Sequence, residues 1–520
     1  MNILTQNIAV QNLSNKGMQK PANASKNKVN PLSTTKTTIM YINDLHGQVP
    51  KMQRLLSAGE HAQFVAKQNG ADMLKLCSGD TFIGSDEKRN IVAAKFLDLA
   101  GIHAEAPGNH EFDITASVCG KLLKNSKTHI LGMNMNFPNN TSDLAKKVLR
   151  STVVQGESGD KYGLIGVQPS DMGSRLKDKK ILEGITIDDK EQTIKELREE
   201  VKKLQEQGVN KIILLSHEGN AIEKEIAQTV SGIDVILGGH SHDLIESIRP
   251  GENMFYSPTG EPVVITQAGR DGNHFGILNL EFNKDGQITY VQNNVLDTNL
   301  YSPNLIMSKT IDSILGKSPE IGYLKHVDPI PKNNLLEENP WADFVADALR
   351  QNLDSDIVLI NSANFRGSVD YGRVTERDIT SIFPFNNKLF KVKLNEKDLV
   401  DAIKLCGKSL TSKNSKPGIM QVSGLSYKLD RSGNLLELIY VDKQGHKRFI
   451  DVDNPDPNKV YTAVYDEFLV GGGDNLEMLK RDNNDILERY AFDKDKVTID
   501  YIKTINQPFE VRKDNRIQIV

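Results

Sequence analysis

Five apolar runs in the first half of the chain are each followed at once by a loop carrying Asp, His or Asn. Four of these runs, predicted as buried strands, are residues 38–42, 72–76, 211–215 and 234–237, and a short fifth run ends near Glu105. Helical patterns at 51–67, 90–99 and 189–207 separate them. Alternating strands and helices are typical of an α/β domain, whose parallel strands end at one edge of a sheet. Ligands bind at that edge, so the loops are predicted to share one site.

The loops supply carboxylate, imidazole and amide groups. In chain order the candidate ligands are Asp44, His46, Asp80, Asn109, His217, His240 and His242, with His110 beside Asn109. Such donors without a thiolate favour a catalytic rather than a structural metal site. Without His110, seven ligands are too many for one tetrahedral ion. They suit two metals about 3.5–4 Å apart that share a carboxylate, and Asp80 is the natural bridge.

The stretch 108–113 (Gly-Asn-His-Glu-Phe-Asp) places an amide, an imidazole and a carboxylate on one predicted strand-to-helix loop. The next helix is predicted to begin near Asp113. Taken alone, this is a polar loop in which Asp113 caps a helix. Its occurrence with four other polar strand ends favours a functional site. The three-residue separation of His110 and Asp113 allows their side chains to meet on a first helical turn.

The length, charge and apolar content of the chain narrow the classes of protein to which it can belong. A chain of 520 residues is too long for one hydrophobic core, so we expect at least two domains. A net charge of −4 without a long basic run argues against a duplex nucleic-acid binder. No stretch of about 20 apolar residues predicts a membrane span. Residues 1–36 are predicted to be a disordered tail without a secretory signal, which favours a cytoplasmic location.

The loop motifs resemble those of the calcineurin-like metallophosphoesterases over about residues 37–298. The matching stretches are 44–47 (Asp-Leu-His-Gly), 79–80, 108–111, 216–217 and 239–242, and the full form at 108–113 narrows the resemblance to the 5′-nucleotidase branch. The family implies a β-sandwich flanked by helices and two divalent metal ions, Zn²⁺, Mn²⁺ or similar. It assigns one ion to Asp44, His46, Asp80 and His242, and the other to Asp80, Asn109, His217 and His240. It makes His110 and Asp113 the catalytic dyad, and its members are commonly periplasmic or extracellular.

The second half is predicted as a linker over 299–330, with a helix at 307–315, followed by a smaller α/β domain over 331–520. Residues 331–500 resemble the C-terminal domain of 5′-nucleotidases, through stretches at 361–366, 383–385, 421–424 and 468–474. By that resemblance Arg366 contacts phosphate, Asn361 and Asp474 bind the nucleoside, and Phe385 and Phe468 sandwich the base. Two aromatic rings form a slot that tolerates any base, although either Phe alone is more often a core residue.

One stretch departs from the family pattern. The family has arginines just before the helix that begins here near Trp341, whereas this chain has 335–340 (Leu-Leu-Glu-Glu-Asn-Pro), with Lys332 as the nearest cation. Part of the phosphate clamp is therefore missing or replaced. The predicted function is a dimetal phosphohydrolase acting on nucleotides, most simply a 5′-nucleotidase. The alternatives are a 2′,3′-cyclic nucleotide phosphodiesterase or nucleotide-sugar hydrolase, and a nucleotide-binding protein without hydrolysis.

Overall fold

The computed structural model divides the chain into two compact units, Met1–Lys317 and Ser318–Val520. It describes residues 8–9, 34–138, 142–175, 179–331, 333, 335–366, 369, 371–383, 385, 387–412, 417–505 and 507–520. Most of the predicted tail, residues 1–7 and 10–33, lies outside the described residues. The described pair Ile8–Ala9 of this tail forms an edge strand.

The first unit contains sixteen strands and eight helices in its described part. The strands are β1 Ile8–Ala9, β2 Thr35–Ile42, β3 Asp72–Cys77, β4 Ala104–Glu105, β5 His129–Leu131, β6 Met135–Asn136, β7 Val148–Leu149, β8 Ser151–Gln155, β9 Lys161–Val167, β10 Thr186–Ile187, β11 Ile212–Ser216, β12 Val235–Leu237, β13 Met254–Tyr256, β14 Pro262–Thr266, β15 His274–Phe282 and β16 Ile288–Asp297. The helices are α1 Val49–Gln68, α2 Glu87–Ala100, α3 Ala116–Leu123, α4 Asp143–Lys147, α5 Met172–Arg175, α6 Lys190–Glu206, α7 Asn220–Thr229 and α8 Leu305–Leu315.

Two sheets pack face to face in this unit. One has the strand order β1-β16-β15-β2-β3-β4-β5-β7 and the other β13-β14-β12-β11-β9-β8. Alternate residues of β2 point to opposite faces, as the period of a strand requires. Ile39 and Tyr41 join a core cluster with residues of both sheets, whereas Met40 and Ile42 pack with α1 and α2. Strand β11 repeats this pattern on the other sheet. The predicted sandwich flanked by helices is confirmed.

Parallel pairing sets where the loops emerge. Strand β2 runs parallel to β3, which is parallel to β4, and β11 runs parallel to both β9 and β12. Strands buried on both faces require nearly continuous apolar runs, which explains the sequence pattern. The loops after β2, β3, β4, β11 and β12 carry the predicted ligands.

Two elements lie inside the segment predicted as a linker. Helix α8 packs on α1 and α2, and its residues Met307 and Ile311 are fully buried in the first core. Strand β17 (Glu320–Val327) pairs within a sheet of the second unit. None of the helices in the described part of the chain combines the length and the apolar character required to cross a membrane.

The described part of the second unit is also α/β. Its remaining strands are β18 Ile357–Asn361, β19 Gly372–Thr375, β20 Leu389–Asn395, β21 Met420–Ser423, β22 Leu425–Leu429, β23 Leu435–Val441, β24 Lys447–Ile450, β25 Val460–Asp466, β26 Ile486–Arg489, β27 Phe509–Val511 and β28 Ile517–Ile519. Its helices are α9 Pro340–Asn352, α10 Glu376–Ile382, α11 Glu396–Gly407, α12 Glu467–Val470 and α13 Lys494–Thr504. Strand β18 lies inside a five-stranded sheet, with Ile357 and Leu359 packing on the α11 side and Val358 and Ile360 on the α9 side.

Candidate active site

The predicted ligands of the first unit converge in two groups. In one group, ligand atoms of Asp44, His46 and His242 lie within 4.8 Å of one another. Asp44 Oδ1 is 3.1 Å from His242 Nε2 and 3.9 Å from His46 Nε2. In the other group, the same limit holds for Asp80, His217 and His240.

Asp80 lies between the two groups. Its Oδ2 is 3.1 Å from His217 Nε2 and 3.5 Å from His46 Nε2. Its Oδ1 accepts a hydrogen bond from the backbone N–H of His110 at 2.8 Å. Asp80 is 1% exposed, so water does not screen these contacts. Asp80 therefore faces imidazoles of both groups at 3.5 Å or less, whereas Asp44 Oδ1 reaches His217 Nε2 only at 3.8 Å, so Asp80 has the geometry expected of a bridge.

Acceptor groups set the orientation of three imidazole rings. His217 Nδ1 lies 2.5 Å from the backbone oxygen of Ser78, and His46 Nδ1 lies 2.9 Å from Asp271 Oδ1. His110 Nδ1 is 2.7 Å from Asp113 Oδ2. A carbonyl or carboxylate oxygen can only accept, so Nδ1 carries the hydrogen in each neutral ring. Nε2 of each ring is then the nitrogen available to a metal or a substrate.

The loop carrying His110 differs from the sequence prediction in one respect. Residues His110–Phe112 form a 3₁₀ turn, and α3 begins only at Ala116, with Thr115 as the capping side chain. The prediction that a helix begins near Asp113 is therefore wrong. Thr115 takes the capping role because its hydroxyl accepts a hydrogen bond from Val118 N–H, which leaves Asp113 free to orient His110.

Backbone strain concentrates at this site. Eleven non-glycine residues in the described chain have positive φ, and six of them belong to it: Asp44, His46, Asp80, His240, His242 and Asp271. Left-handed backbone is unfavourable for residues with a side chain, and such residues cluster at functional sites. Holding paired ligands of one loop toward a common point explains this strain.

Burial and charge perturb the ionisation of the ligands. Burial disfavours the ionised form of Asp80, yet His217 and His110 hold its pKa well below the ordinary value. Burial likewise opposes the charged form of His217, but Asp80 and Asp44 raise the pKa of its imidazole to about 10. Burial lowers the pKa of His242 to about 4. The carboxylates are thus ionised at neutral pH and favour a cation between them.

The residues fit a divalent metal site. Asn109 Oδ1 is buried and has no hydrogen-bond partner among the described residues. An unsatisfied buried acceptor costs about 1–3 kcal/mol. Together with the neighbouring carboxylates and imidazoles, it forms an oxygen and nitrogen donor set without thiolate, which suits ions such as Zn²⁺ or Mn²⁺.

Two buried carboxylates received no role from the sequence. Glu111 accepts hydrogen bonds from the backbone N–H groups of Asp80 (3.0 Å), Phe82 (2.9 Å) and Gly108 (2.6 Å), and so ties two ligand loops together. Asp271 contacts His46. Glu111 lies inside the 108–113 motif, and the sequence signal for Asp271 is a carboxylate in the loop that follows the apolar strand β14.

The candidate substrate residues of the second unit lie around one segment, residues 361–366. Asn361 Nδ2 donates to Asp474 Oδ2 at 3.2 Å. At the other end, Arg366 Cζ lies 5.8 Å from the centroid of the Phe385 ring, a cation–π arrangement. Phe468 is half-buried and packs against the core cluster of the α11 side. The structure therefore links Asn361 with Asp474 and Arg366 with Phe385.

A buried chain of polar contacts supports Asn361. Asn364 donates to Asn361 Oδ1 and, at 2.9 Å, to Asp466 Oδ2. Asp466 also pairs with Lys494 at 2.7 Å. In the stretch that lacks the family arginines, Lys332 lies outside the described residues, and Glu338 accepts a hydrogen bond from the backbone N–H of Arg516 at 3.0 Å.

Comparison with known proteins agrees with this architecture. Residues 37–244 match the calcineurin-like phosphoesterase family, and residues 320–481 match the 5′-nucleotidase C-terminal domain. Residues 37–244 and 320–481 thus carry the two domains that these family models describe. The first domain is a metal-dependent phosphoester hydrolase, and members of the phosphoesterase family use divalent metals.

Individual relatives are distant. The trifunctional nucleotide phosphoesterase protein YfkN of Bacillus subtilis (strain 168) is 23% identical over 85% of this chain, which spans only 32% of that relative's length. The 5′-nucleotidase of Rattus norvegicus is 25% identical, with 89% of this chain and 87% of the relative covered. The crystal structure of a 5′-nucleotidase precursor from Thermus thermophilus covers 93% of this chain and 99% of its own, with a TM-score of 0.69 and 21% identity. This likeness shows that both units share their fold with that structure.

Proposed function

We propose that this protein is a dimetal phosphohydrolase that releases phosphate from nucleotides, and specifically a 5′-nucleotidase. The position of Asp80 between two groups of ligands carries the proposal, because a shared carboxylate is what two adjacent ions require. The C-terminal domain match and the 5′-nucleotidase names of relatives support a nucleotide as the substrate.

Residues of the first domain would act in three roles. Asp44, His46, Asp80 and His242 would hold one ion, and Asp80, Asn109, His217 and His240 the other. When bound, divalent ions lower the pKa of a water molecule and offset the charge of phosphate oxygens. In its imidazolium form His110 would stabilise the transferring phosphoryl group and give its Nε2 proton to the leaving oxygen, while Asp113 accepts its Nδ1 hydrogen and fixes the ring.

Residues of the second domain would recognise the nucleotide. Arg366 is a candidate phosphate contact, and the paired amide and carboxylate of Asn361 and Asp474 offer a donor and acceptors for a nucleoside. Phe385 and Phe468 would stack on the base. The buried contact to Asn364 keeps the Asn361 amide in one orientation.

A substrate panel tests this proposal. Metal-stripped protein is supplied with Mn²⁺ or Zn²⁺ and assayed for phosphate release from nucleoside monophosphates, 2′,3′-cyclic nucleotides and nucleotide sugars. We expect metal-dependent release, fastest from the 5′-monophosphates, and loss of both metals and turnover in Asp80→Ala. Preference for a cyclic or sugar nucleotide would select that alternative, and metal-loaded protein that binds nucleotides without hydrolysis would refute the enzyme assignment.

A further inference from the structure

The loop between β14 and β15, residues 267–273, holds ligand loops from opposite ends of the first domain's sequence. The Asn43 side chain donates to the Gly269 oxygen at 2.7 Å and accepts from Ala268 N–H at 2.8 Å. Gln267 accepts from Asp243 N–H at 2.6 Å and donates to the Gly239 oxygen at 3.0 Å. This loop therefore secures the loop of Asp44 and His46 and also that of His240 and His242.

Asp271 is the residue of this loop that touches a candidate ligand directly. Its Oδ1 lies 2.9 Å from His46 Nδ1, and its backbone N–H donates to the backbone carbonyl oxygen of Asp44 at 2.6 Å. The side chain is fully buried. Arg270 Nε lies 3.2 Å from Asp271 Oδ2, so a neighbouring guanidinium compensates the buried negative charge.

The geometry points to Asp271 as a positioning residue for metal binding at His46, an inference that rests on the proposed dimetal function. The carboxylate accepts the Nδ1 hydrogen of His46, which fixes the tautomer with the Nε2 lone pair directed to Asp80 and Asp44. A carboxylate partner also increases the basicity of a ligating imidazole. Arg270 holds the carboxylate in place, so the chain of contacts runs from Arg270 through Asp271 to His46.

His46 needs a hydrogen-bond acceptor at Nδ1 because its two neighbouring imidazole rings do not fix its orientation by themselves. Its centroid lies 5.1 Å from that of His242 and 5.2 Å from that of His110. Without an acceptor at Nδ1, the ring can take the other tautomer or turn, and either change withdraws Nε2 from the metal position. Substitution of such partners typically costs about 10–100-fold in metal affinity.

Mn²⁺ titration of the metal-stripped full-length protein, by isothermal titration calorimetry, tests this role. For Asp271→Ala we expect the affinity for one Mn²⁺ to fall by roughly 10–100-fold. The affinity for the second Mn²⁺ should change less. Asp271→Asn keeps an oxygen acceptor without the charge, so its loss should be smaller. This conservative variant also keeps the test valid if the alanine variant folds poorly.

Asp72→Ala is the matched control. Asp72 is also a buried carboxylate of the first domain, and it accepts hydrogen bonds from Ser158 N–H at 2.7 Å and Tyr162 Oη at 2.8 Å. It is the first residue of β3, whereas the candidate ligands follow the other end of that strand. Its loss should lower the melting temperature and leave both Mn²⁺ affinities unchanged. Wild-type affinity in Asp271→Ala, or an equal fall in Asp72→Ala, would overturn the inference.

The Mn²⁺ measurement separates this inference from the proposed function. If the wild type binds two Mn²⁺ but hydrolyses no phosphoester, the hydrolase proposal fails and the role of Asp271 is still tested by affinity. If the wild type hydrolyses nucleotides and Asp271→Ala binds Mn²⁺ normally, only the positioning role fails. A wild type that binds no Mn²⁺ would refute both.

Discussion

Replacing Gly108 by alanine should damage the active site through one added methyl group. A Cβ atom built on Gly108 would lie 2.5 Å from His217 Nε2 and 2.6 Å from its Cε1, and closer still to Asp80 Oδ1. The φ of Gly108 is not in the left-handed region, so alanine is allowed by the backbone. Any effect of the substitution therefore comes from the space that the methyl group takes from the ligands.

The contacts set the size of the effect. Ordinary van der Waals contact begins at 3.4 Å, so His217 and Asp80 must move by about 1 Å. Overpacking of this kind costs about 1–3 kcal/mol of stability. A misplacement of about 1 Å in a catalytic site can lower turnover by about 10²-fold, equivalent to about 2.7 kcal/mol of transition-state stabilisation.

Three measurements check this prediction: metal content per chain, kcat/KM for p-nitrophenyl phosphate, and thermal unfolding. Gly108→Ala should lose metal and turnover together. Gly173→Ala is the matched control, because a Cβ at Gly173 meets no atom of the described residues beyond its own helix within 4 Å, and its φ is not left-handed either. If Gly108→Ala kept the metal content and turnover of the wild type, the assignment of His217 and Asp80 as ligands at this position would be refuted.

Three further predictions concern single side chains. His110→Ala should lower kcat by roughly 10²–10⁴-fold with nearly unchanged metal content, whereas substantial metal loss would make His110 a ligand. Phe468→Ala or Phe385→Ala should remove about 1–3 kcal/mol of base stacking, raising KM for nucleotides but not for p-nitrophenyl phosphate; equal losses on both would indicate core residues. Burial raises the pKa of Asp343 from 3.8 to about 9, so the folded chain keeps a proton that the unfolded chain releases, and stability should fall as pH rises between these values. The free energy of unfolding can be measured at each pH by urea unfolding, followed by the fluorescence of Trp341, the only tryptophan. Its fall with pH should be smaller in Asp343→Asn, and a wild-type free energy that does not change with pH would contradict the prediction.

Patterns local in sequence predicted much of the candidate site. Continuous apolar runs located the loops after β2, β3, β11 and β12, because parallel strands that are buried on both faces need apolar residues at successive positions. Ligand type followed directly from the residues on those loops. The spacing of His110 and Asp113 allowed their contact without requiring it, and the structure forms it across a 3₁₀ turn. The start of α3 at Ala116 was not predicted, because Asp113 and Thr115 are both suitable caps and the intervening 3₁₀ turn leaves no local signal.

Long-range contacts decided the rest. His46 and Asp271 are 225 residues apart, and they meet because β15 pairs with β2 and carries the preceding loop to the Asp44 loop. Likewise, the packing of α8 on α1 and α2 follows from apolar surface that the folded first unit presents. By itself, the sequence determined which strand ends carry candidate metal-binding side chains, since apolar runs and residue chemistry are local properties. Only the tertiary structure decided how far these side chains lie from Asp80, and which buried carboxylates contact their loops, because register between distant strands depends on packing across the whole domain.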